Sequence, residues 1–260
     1  MKVIDIKKEH VDLFCICLEE WKEESKDAGP KRKQWLHRCQ KLGLKAKVAL
    51  NDNDVPCGLI QYVPIESSFV DGQDLMFIYC IFVHGVDRGR GNQQGKGMGL
   101  ALLKEAERDA KKAGMKGIVA WGLTEPWWMP AAFFEKHGFE PADLDEIKKL
   151  VWKPFTEDAQ APKWFRRTDK PLELAPGKVT VTSFISGWCM GQNIVYEWAK
   201  QLATRYGDMI VYKEIDTSNR ETIAEWGLSD VIYVNSERLM GPPMSYEDIK
   251  KIIEKHLAAL

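Results

Sequence analysis

The chain has 260 residues, 45% of them hydrophobic and 29% charged, which is the composition of a globular protein long enough for two unequal domains. A net charge of −1 provides no overall field for nucleic acid or an anionic membrane, so neither is expected as a partner. The six cysteines (Cys15, Cys17, Cys39, Cys57, Cys80, Cys189) have neither metal-ligand spacing nor the look of a disulfide framework. Reduced thiols, no metal and a cytoplasmic location are therefore predicted. Met1 to His10 is charged and lacks an apolar h-region, so no signal peptide is expected.

Val11, Phe14, Cys15, Leu18 and Trp21 recur with a helical period and predict a helix over 9–24. Gly29-Pro30 predicts a break, and 35–42 a second helix closed by Gly43. Residues 45–50 and 57–65 read as strands around the polar turn Asn51-Asp52-Asn53-Asp54. Leu75 to Val83 is continuously apolar, as a strand covered on both faces is. A helix over 100–113 places Leu102, Leu103, Ala106, Ala110 and Ala113 on one stripe, with Gly114 as its cap. Strands over 117–123 and 149–153 flank a short helix over 130–136 that stops at Gly138.

From Thr156 to Lys178 the chain holds Pro162, Pro171, Pro176 and Gly177 with little apolar period. This predicts one domain over 1–155, a linker over 156–177 and a second domain over 178–260. Beyond the linker the predicted order is strand (179–185), helix (193–205), strand (209–215), helix (220–226), strand (231–234), strand (238–240) and helix (246–257). Capping boxes at Ser218 with Glu221 and at Ser245 with Asp248 support two of these helix starts.

The segment Gln94-Gly95-Lys96-Gly97-Met98-Gly99 lies between the apolar strand and a helix. Three glycines let the backbone curl tightly, and the helix start offers N–H groups and a positive dipole end to a pyrophosphate. The Gly-Lys-Ser/Thr of magnesium-nucleotide hydrolases is absent, and so is the order of a dinucleotide fold.

At these residues the chain resembles the GNAT acyltransferase superfamily. Gln94, Gly97 and Gly99 match its Gln/Arg-x-x-Gly-x-Gly/Ala signature, and Phe134-Glu135-Lys136-His137-Gly138-Phe139 matches its aromatic-Glu-Lys-x-Gly-Phe run. The resemblance covers roughly residues 1–155. It implies an α+β fold in which helices flank a mixed sheet, and acetyl-CoA or another acyl-CoA as donor.

On that resemblance the pyrophosphate sits on the amides of Gly95, Lys96, Gly97, Met98, Gly99 and Leu100, with Gln94 opening the turn. The pantetheine runs beside Ile81, Phe82 and Val83, where a backbone N–H polarises the thioester carbonyl. An amine attacks directly, without an enzyme nucleophile; a small-molecule amine is the expected acceptor, with a protein amine or a thiol as the alternatives. Phe134 stands in the cofactor-contacting position where many relatives carry a tyrosine general acid, and a phenyl ring has no proton to donate. The segment 84–93, with Arg88, Gly89, Arg90 and Gly91, is longer than the family's usual link and reads as an insertion.

Glu125 and Glu66, past strand ends, are the candidate bases; Tyr79 and Tyr62 are candidate acids, and His84 adjoins the carbonyl site. Trp121, Trp127 and Trp128 are candidates to line an apolar acceptor pocket, and packing accounts for them equally well.

Trp188-Cys189-Met190-Gly191-Gln192 puts a thiol at a helix start, where the dipole favours the thiolate. The element order from 179 to 257 resembles a thioredoxin-like fold. The second cysteine of that family's motif is Gln192 here, which excludes dithiol cycling within the motif. The family's cis-proline is also missing, with Ser229-Asp230-Val231 in its place and Pro242-Pro243 later. Together the two halves resemble the YoaP-type acetyltransferases, including the Gly-Trp-Cys and Gly-Pro-Pro segments. The expected function is an acyl-CoA-dependent N-acyltransferase with an unidentified amine acceptor, and a homodimer is left open. Two alternatives stand beside it: a monothiol thiol-handling protein using Cys189, and an acyl-CoA sensor without turnover.

Overall fold

The computed structural model describes residues 1–126, 128–239 and 244–260. Two compact units emerge, Met1–Trp21 with Leu36–Phe165 and Lys22–Trp35 with Arg166–Leu260. Trp127, the Gly-Pro-Pro segment and Met240 of the predicted strand 238–240 lie outside the described residues.

The first unit is built on β1 (Lys2–Asp5), β2 (Lys45–Leu50), β3 (Pro56–Pro64), β4 (Val70–Asp71), β5 (Leu75–Val83), β6 (Gly117–Leu123), β7 (Glu140–Asp145), β8 (Lys148–Pro154) and β9 (Lys163–Trp164). Its helices are α1 (Val11–Cys15), the 36–40 end of α2 (Glu24–Gln40), α3 (Met98–Lys112) and α4 (Ala131–Glu135), while residues 24–35 of α2 belong to the second unit. Among the described residues its main sheet has seven strands, in the order β1-β2-β3-β5-β6-β8-β7. β5 and β6 run parallel and the remaining pairs antiparallel. This is a mixed sheet with flanking helices.

β5 is apolar on both sides because both faces are covered. Leu102, Leu103, Ala106 and Ala110 of α3 are fully buried on one face. On the other, Phe69 packs edge-on against Phe77 and Tyr79 and stacks parallel to Trp164. Trp164 comes from the predicted linker, where β9 pairs with β4.

Several local expectations are corrected. The helix predicted over 9–24 stops at Cys15, because Cys17 and Leu18 turn to positive φ (52° and 62°) and carry Leu18 into the core. The predicted break at Gly29-Pro30 is not made, and α2 runs through Pro30. Ala28, Arg32, Trp35, Leu36 and Cys39 are buried at helical spacing along it. That burial outweighs the ~3 kcal/mol by which an interior proline disfavours a helix. Ala113 leaves the α3 stripe, since the helix has already ended and the residue is exposed. β1 and β7, not expected from the sequence, form the two sheet edges, where strands are half-exposed and lack a clean apolar pattern.

The second unit consists of β10 (Val179–Ile185), α5 (Met190–Tyr206), β11 (Ile210–Asp216), α6 (Arg220–Trp226), β12 (Val231–Val234), β13 (Glu237–Arg238) and α7 (Tyr246–Leu257). Its sheet order is β11-β10-β12-β13, with β10 parallel to β11 and antiparallel to β12. Val179, Val181, Ile232 and Val234 share one core with Tyr196, Ala199 and Leu202 of α5 and Ile249 and Ile253 of α7. Ser245 and Asp248 form the reciprocal capping box at α7. The box expected from Ser218 and Glu221 is replaced by Asn219, whose side chain accepts from Thr222 N–H because α6 starts one residue later. None of the six cysteines is in a disulfide. Among the described residues no helix is long and apolar enough to cross a membrane.

Candidate functional site

The site begins where two parallel strands separate. β5 and β6 pair only at Leu75–Gly117, Met76–Ile118 and Phe77–Val119. Beyond that, Cys80 and Ile78 face the consecutive residues Gln61 and Tyr62 of β3, which leaves Tyr79 as an inserted bulge residue that re-aims the strand. The Trp121 indole N–H donates to the Tyr79 carbonyl at 2.9 Å, in place of the next ladder bond. β6 then turns to other partners, with Leu123 N–H donating to Met129 O at 2.9 Å. Gly122 permits this close return, because a Cβ there would lie 2.6 Å from the Ala131 nitrogen.

β5 is left with an open edge. His84 N–H donates to Cys57 O at 2.9 Å, so alternation directs the backbone groups of Phe82 toward β3 and those of Ile81 and Val83 toward the gap. All three residues are half-buried.

Next to this edge the chain turns back. The Gln94 side-chain amide donates to Val83 O at 3.2 Å. Gly95 and Gly97 hold φ of +73° and +83° with open space where a Cβ would stand, so the sign of φ requires glycine there and crowding does not. Gly97 is the N-cap of α3, no side chain caps the helix, and its first turn has no acidic residue. The first intrahelical bond is Ala101 N–H to Gly97 O at 3.0 Å, so the N–H groups of Met98, Gly99 and Leu100 precede the ladder. Met98 anchors the turn with a buried side chain, while Lys96 is exposed beside it. Uncapped donors, a positive dipole end and a neighbouring lysine fit an anionic diphosphate.

The insertion 84–93 is pinned rather than loose. The His84 ring is buried with Nδ1 2.8 Å from Gly91 O, and Trp21 meets that ring edge-on at 5.1 Å. Arg90 Nη1 donates to Leu18 O at 2.8 Å and lies 2.8 Å from a Glu20 carboxylate oxygen. Arg90→Ala is expected to cost about 2 kcal/mol through the carbonyl bond. Glu20 is largely solvated, so Glu20→Ala should stay within about 0.5 kcal/mol of wild type in parallel urea melts.

The remaining predicted residues are dispersed. Phe134 is 0% exposed and packs against Phe139, inside the core. The ring that reaches the α3 start is Phe133, 3.3 Å from the place of a Gly99 Cβ. Sequence reading missed it, although the Phe-Phe doublet was the available signal. Tyr79 is buried, and its hydroxyl donates to Ser67 O at 3.2 Å. The Tyr62 hydroxyl donates to Asp109 at 2.7 Å beneath α3. Glu66 accepts from Asp74 N–H at 2.7 Å, at the end of β5 opposite Val83. Glu125 is exposed just past β6, at the Val83 end. Trp128 meets Trp121 edge-on at 5.4 Å.

In the second unit Cys189 is the half-buried N-cap of α5. Beside it the Trp188 indole, Tyr196 hydroxyl and Ser186 hydroxyl all donate to Asp230.

A bulged strand parting from its parallel neighbour, followed by a glycine turn and an uncapped helix, sets an open strand edge beside an anion-binding helix start. The chain belongs to the acetyltransferase (GNAT) family, whose model matches residues 8–139. Among solved structures it is similar to PaiA N-acetyltransferase from Thermoplasma acidophilum in complex with coenzyme A, at 18% identity and TM-score 0.45, covering 60% of this chain and 100% of that one. It is also similar to a GNAT family acetyltransferase from Brucella melitensis in complex with acetyl-CoA, at 15% identity and TM-score 0.41, covering 61% and 90% of the two chains. No curated protein matches the chain.

Proposed function

We propose that the chain is an acyl-CoA-dependent N-acyltransferase that uses acetyl-CoA and acts on a small-molecule amine. The observation carrying this reading is the uncapped α3 start beside the open edge of β5. Acetyl-CoA supplies an activated thioester. The amides of Gly95 to Leu100 hold its diphosphate, and Gln94 braces the turn against Val83 O. Ile81 and Val83 offer strand-like hydrogen bonds to the pantetheine, and Ile81 N–H is the donor for the thioester oxygen as it becomes anionic.

The amine nitrogen bonds to the acyl carbon as the C–S bond breaks, and the amine proton passes to a base. Glu125 is favoured for that role over Glu66 and Tyr79, which are engaged at the far end of β5 and with Ser67. Phe133, the ring that reaches the α3 start, has no proton to donate, so the leaving thiolate takes its proton from water. The finer parts of the reading are a cytoplasmic YoaP-type protein, an acyltransferase domain over 1–155, a linker over 156–177 and a thioredoxin-like domain over 178–260.

Titration calorimetry with acetyl-CoA, followed by an acetylation assay on a panel of amines, tests the proposal. Saturable binding and turnover are expected. A wild-type protein with no measurable acetyl-CoA affinity removes the donor site.

A further inference from the structure

In the second unit one sheet face is covered by α5 and α7, while the other carries Phe184, Val231 and Tyr233 under Leu172, Trp226 and Leu228. Residues 166–175 cross that second face as an irregular strap. It is tethered at one end by Thr168, whose N–H donates to Trp226 O at 3.1 Å and whose hydroxyl donates to Glu225 O at 3.0 Å. At the other end Lys213 Nζ donates to the Glu173 carboxylate at 2.6 Å, and Ala175 N–H to the Thr180 hydroxyl at 2.9 Å.

Between the tethers lies a cleft of about 650 Å³ whose lining includes Arg167, Lys170, Leu172, Leu174, Tyr233 and Ser236. Its floor holds an unmet demand. The Tyr233 hydroxyl is buried and makes no hydrogen bond among the described residues. Thr182, directly opposite Tyr233 in the β10–β12 ladder and so on the same face, also has a buried hydroxyl without a partner. Two neighbouring buried donors in this state are unusual, because buried polar groups are nearly always paired.

Above them the Arg167 guanidinium lies over the Tyr233 ring, 5.6 Å from its centre. Arg167 forms no ion pair among the described residues, whereas Lys170 is held by Glu225. Asp169 is the opposing carboxylate in the rim, and it is exposed to solvent.

We infer that this cleft binds a small organic oxyanion with an apolar body. Its oxygens accept from Tyr233 and pair with Arg167 as the guanidinium lifts from the ring, while its apolar part lies along Leu172 and Leu174. The guanidinium fork suits carboxylate and phosphate alike, and the leucines favour a ligand that carries a chain.

Calorimetry on the full-length protein with hexanoate and with inorganic phosphate tests this. Hexanoate is expected to saturate and to bind at least about tenfold more tightly than phosphate, with Tyr233→Phe and Arg167→Gln each weakening it by about tenfold or more. Tyr233→Phe should melt at or above the wild-type temperature, because it removes an unpaired hydroxyl and keeps the ring. Failure of both anions to saturate, unchanged affinity in both variants, phosphate binding as tightly as hexanoate, or a lowered melting temperature for Tyr233→Phe each overturns the assignment.

Discussion

Gly97→Asp is expected to abolish most acetyl-CoA binding while leaving the protein folded. Gly97 sits at φ +83° with nothing within 4 Å of a Cβ, so a side chain meets only conformational strain. For Asp, which tolerates the left-handed region better than most residues, that strain is of order 1 kcal/mol. A carboxylate at a helix N-terminus returns about 0.3–1 kcal/mol through the dipole, so stability should barely change. The same carboxylate repels a diphosphate and competes for the N–H groups of Met98, Gly99 and Leu100. Affinity should fall at least about 100-fold, or roughly 2.8 kcal/mol, by calorimetry. Gly97→Ala carries the strain without the charge and should lose less than about tenfold. Equal losses in the two variants would mean that backbone strain, rather than the anion site, governs binding.

The second large effect lies beneath α3. Lys47 is buried, 2.7 Å from Asp5 and 3.2 Å from Asp109, and Asp109 also accepts from the Tyr62 hydroxyl. Burial alone would raise the Asp109 carboxyl, but the bonds from Tyr62 and Lys47 outweigh it and hold the group below the usual carboxylate range. Burial, then the Asp109 bond, drives the Tyr62 hydroxyl far above an ordinary phenol. Burial pulls the Lys47 ammonium down, yet its bonds to Asp5 and Asp109 leave it raised.

The depressed Asp109 contributes stability above its unfolded value of about 3.9, and this is lost as pH falls through the folded value. The raised Tyr62 and Lys47 contribute fully below about 10 and are lost as pH rises through their folded values. Stability of the first unit should therefore be flat between about pH 5 and pH 10 and fall on both sides. Asp109→Ala leaves the buried Tyr62 hydroxyl without its partner and Lys47 with Asp5 and Glu105 alone, and should cost about 2–3 kcal/mol at pH 7. Tyr62→Phe should shrink the alkaline limb to the part Lys47 supplies and, because it removes a bond that lowers Asp109, weaken the acid limb as well. Chemical denaturation across pH checks both, and an acid limb unaltered in Asp109→Ala would refute the assignment.

Elements that bury themselves along their own length were legible residue by residue. β5, β6, β10 and β12 match the predicted ranges because a continuous apolar run between turn residues leaves a strand little alternative. α6 and α7 match because their amphipathic periods are bounded by local caps. The turn at Gly95 and Gly97 was legible for a similar reason, since positive φ is a local demand that glycine meets. β1, β7 and the continuity of α2 through Pro30 were hidden, because edge pairing and the burial of Trp35 depend on partners distant in sequence.

The sequence by itself determined a two-part α/β chain with a glycine turn between its central strand and an amphipathic helix. Only the tertiary structure decided that β5 parts from β6 after Phe77, that Tyr62 and Tyr79 are committed to Asp109 and Ser67, and that Phe133 rather than Phe134 faces the turn. The physical reason is the range over which each choice is made. A backbone conformation is set by neighbours in the chain, whereas the end of a ladder and the partner of a hydroxyl are set by groups brought together by folding.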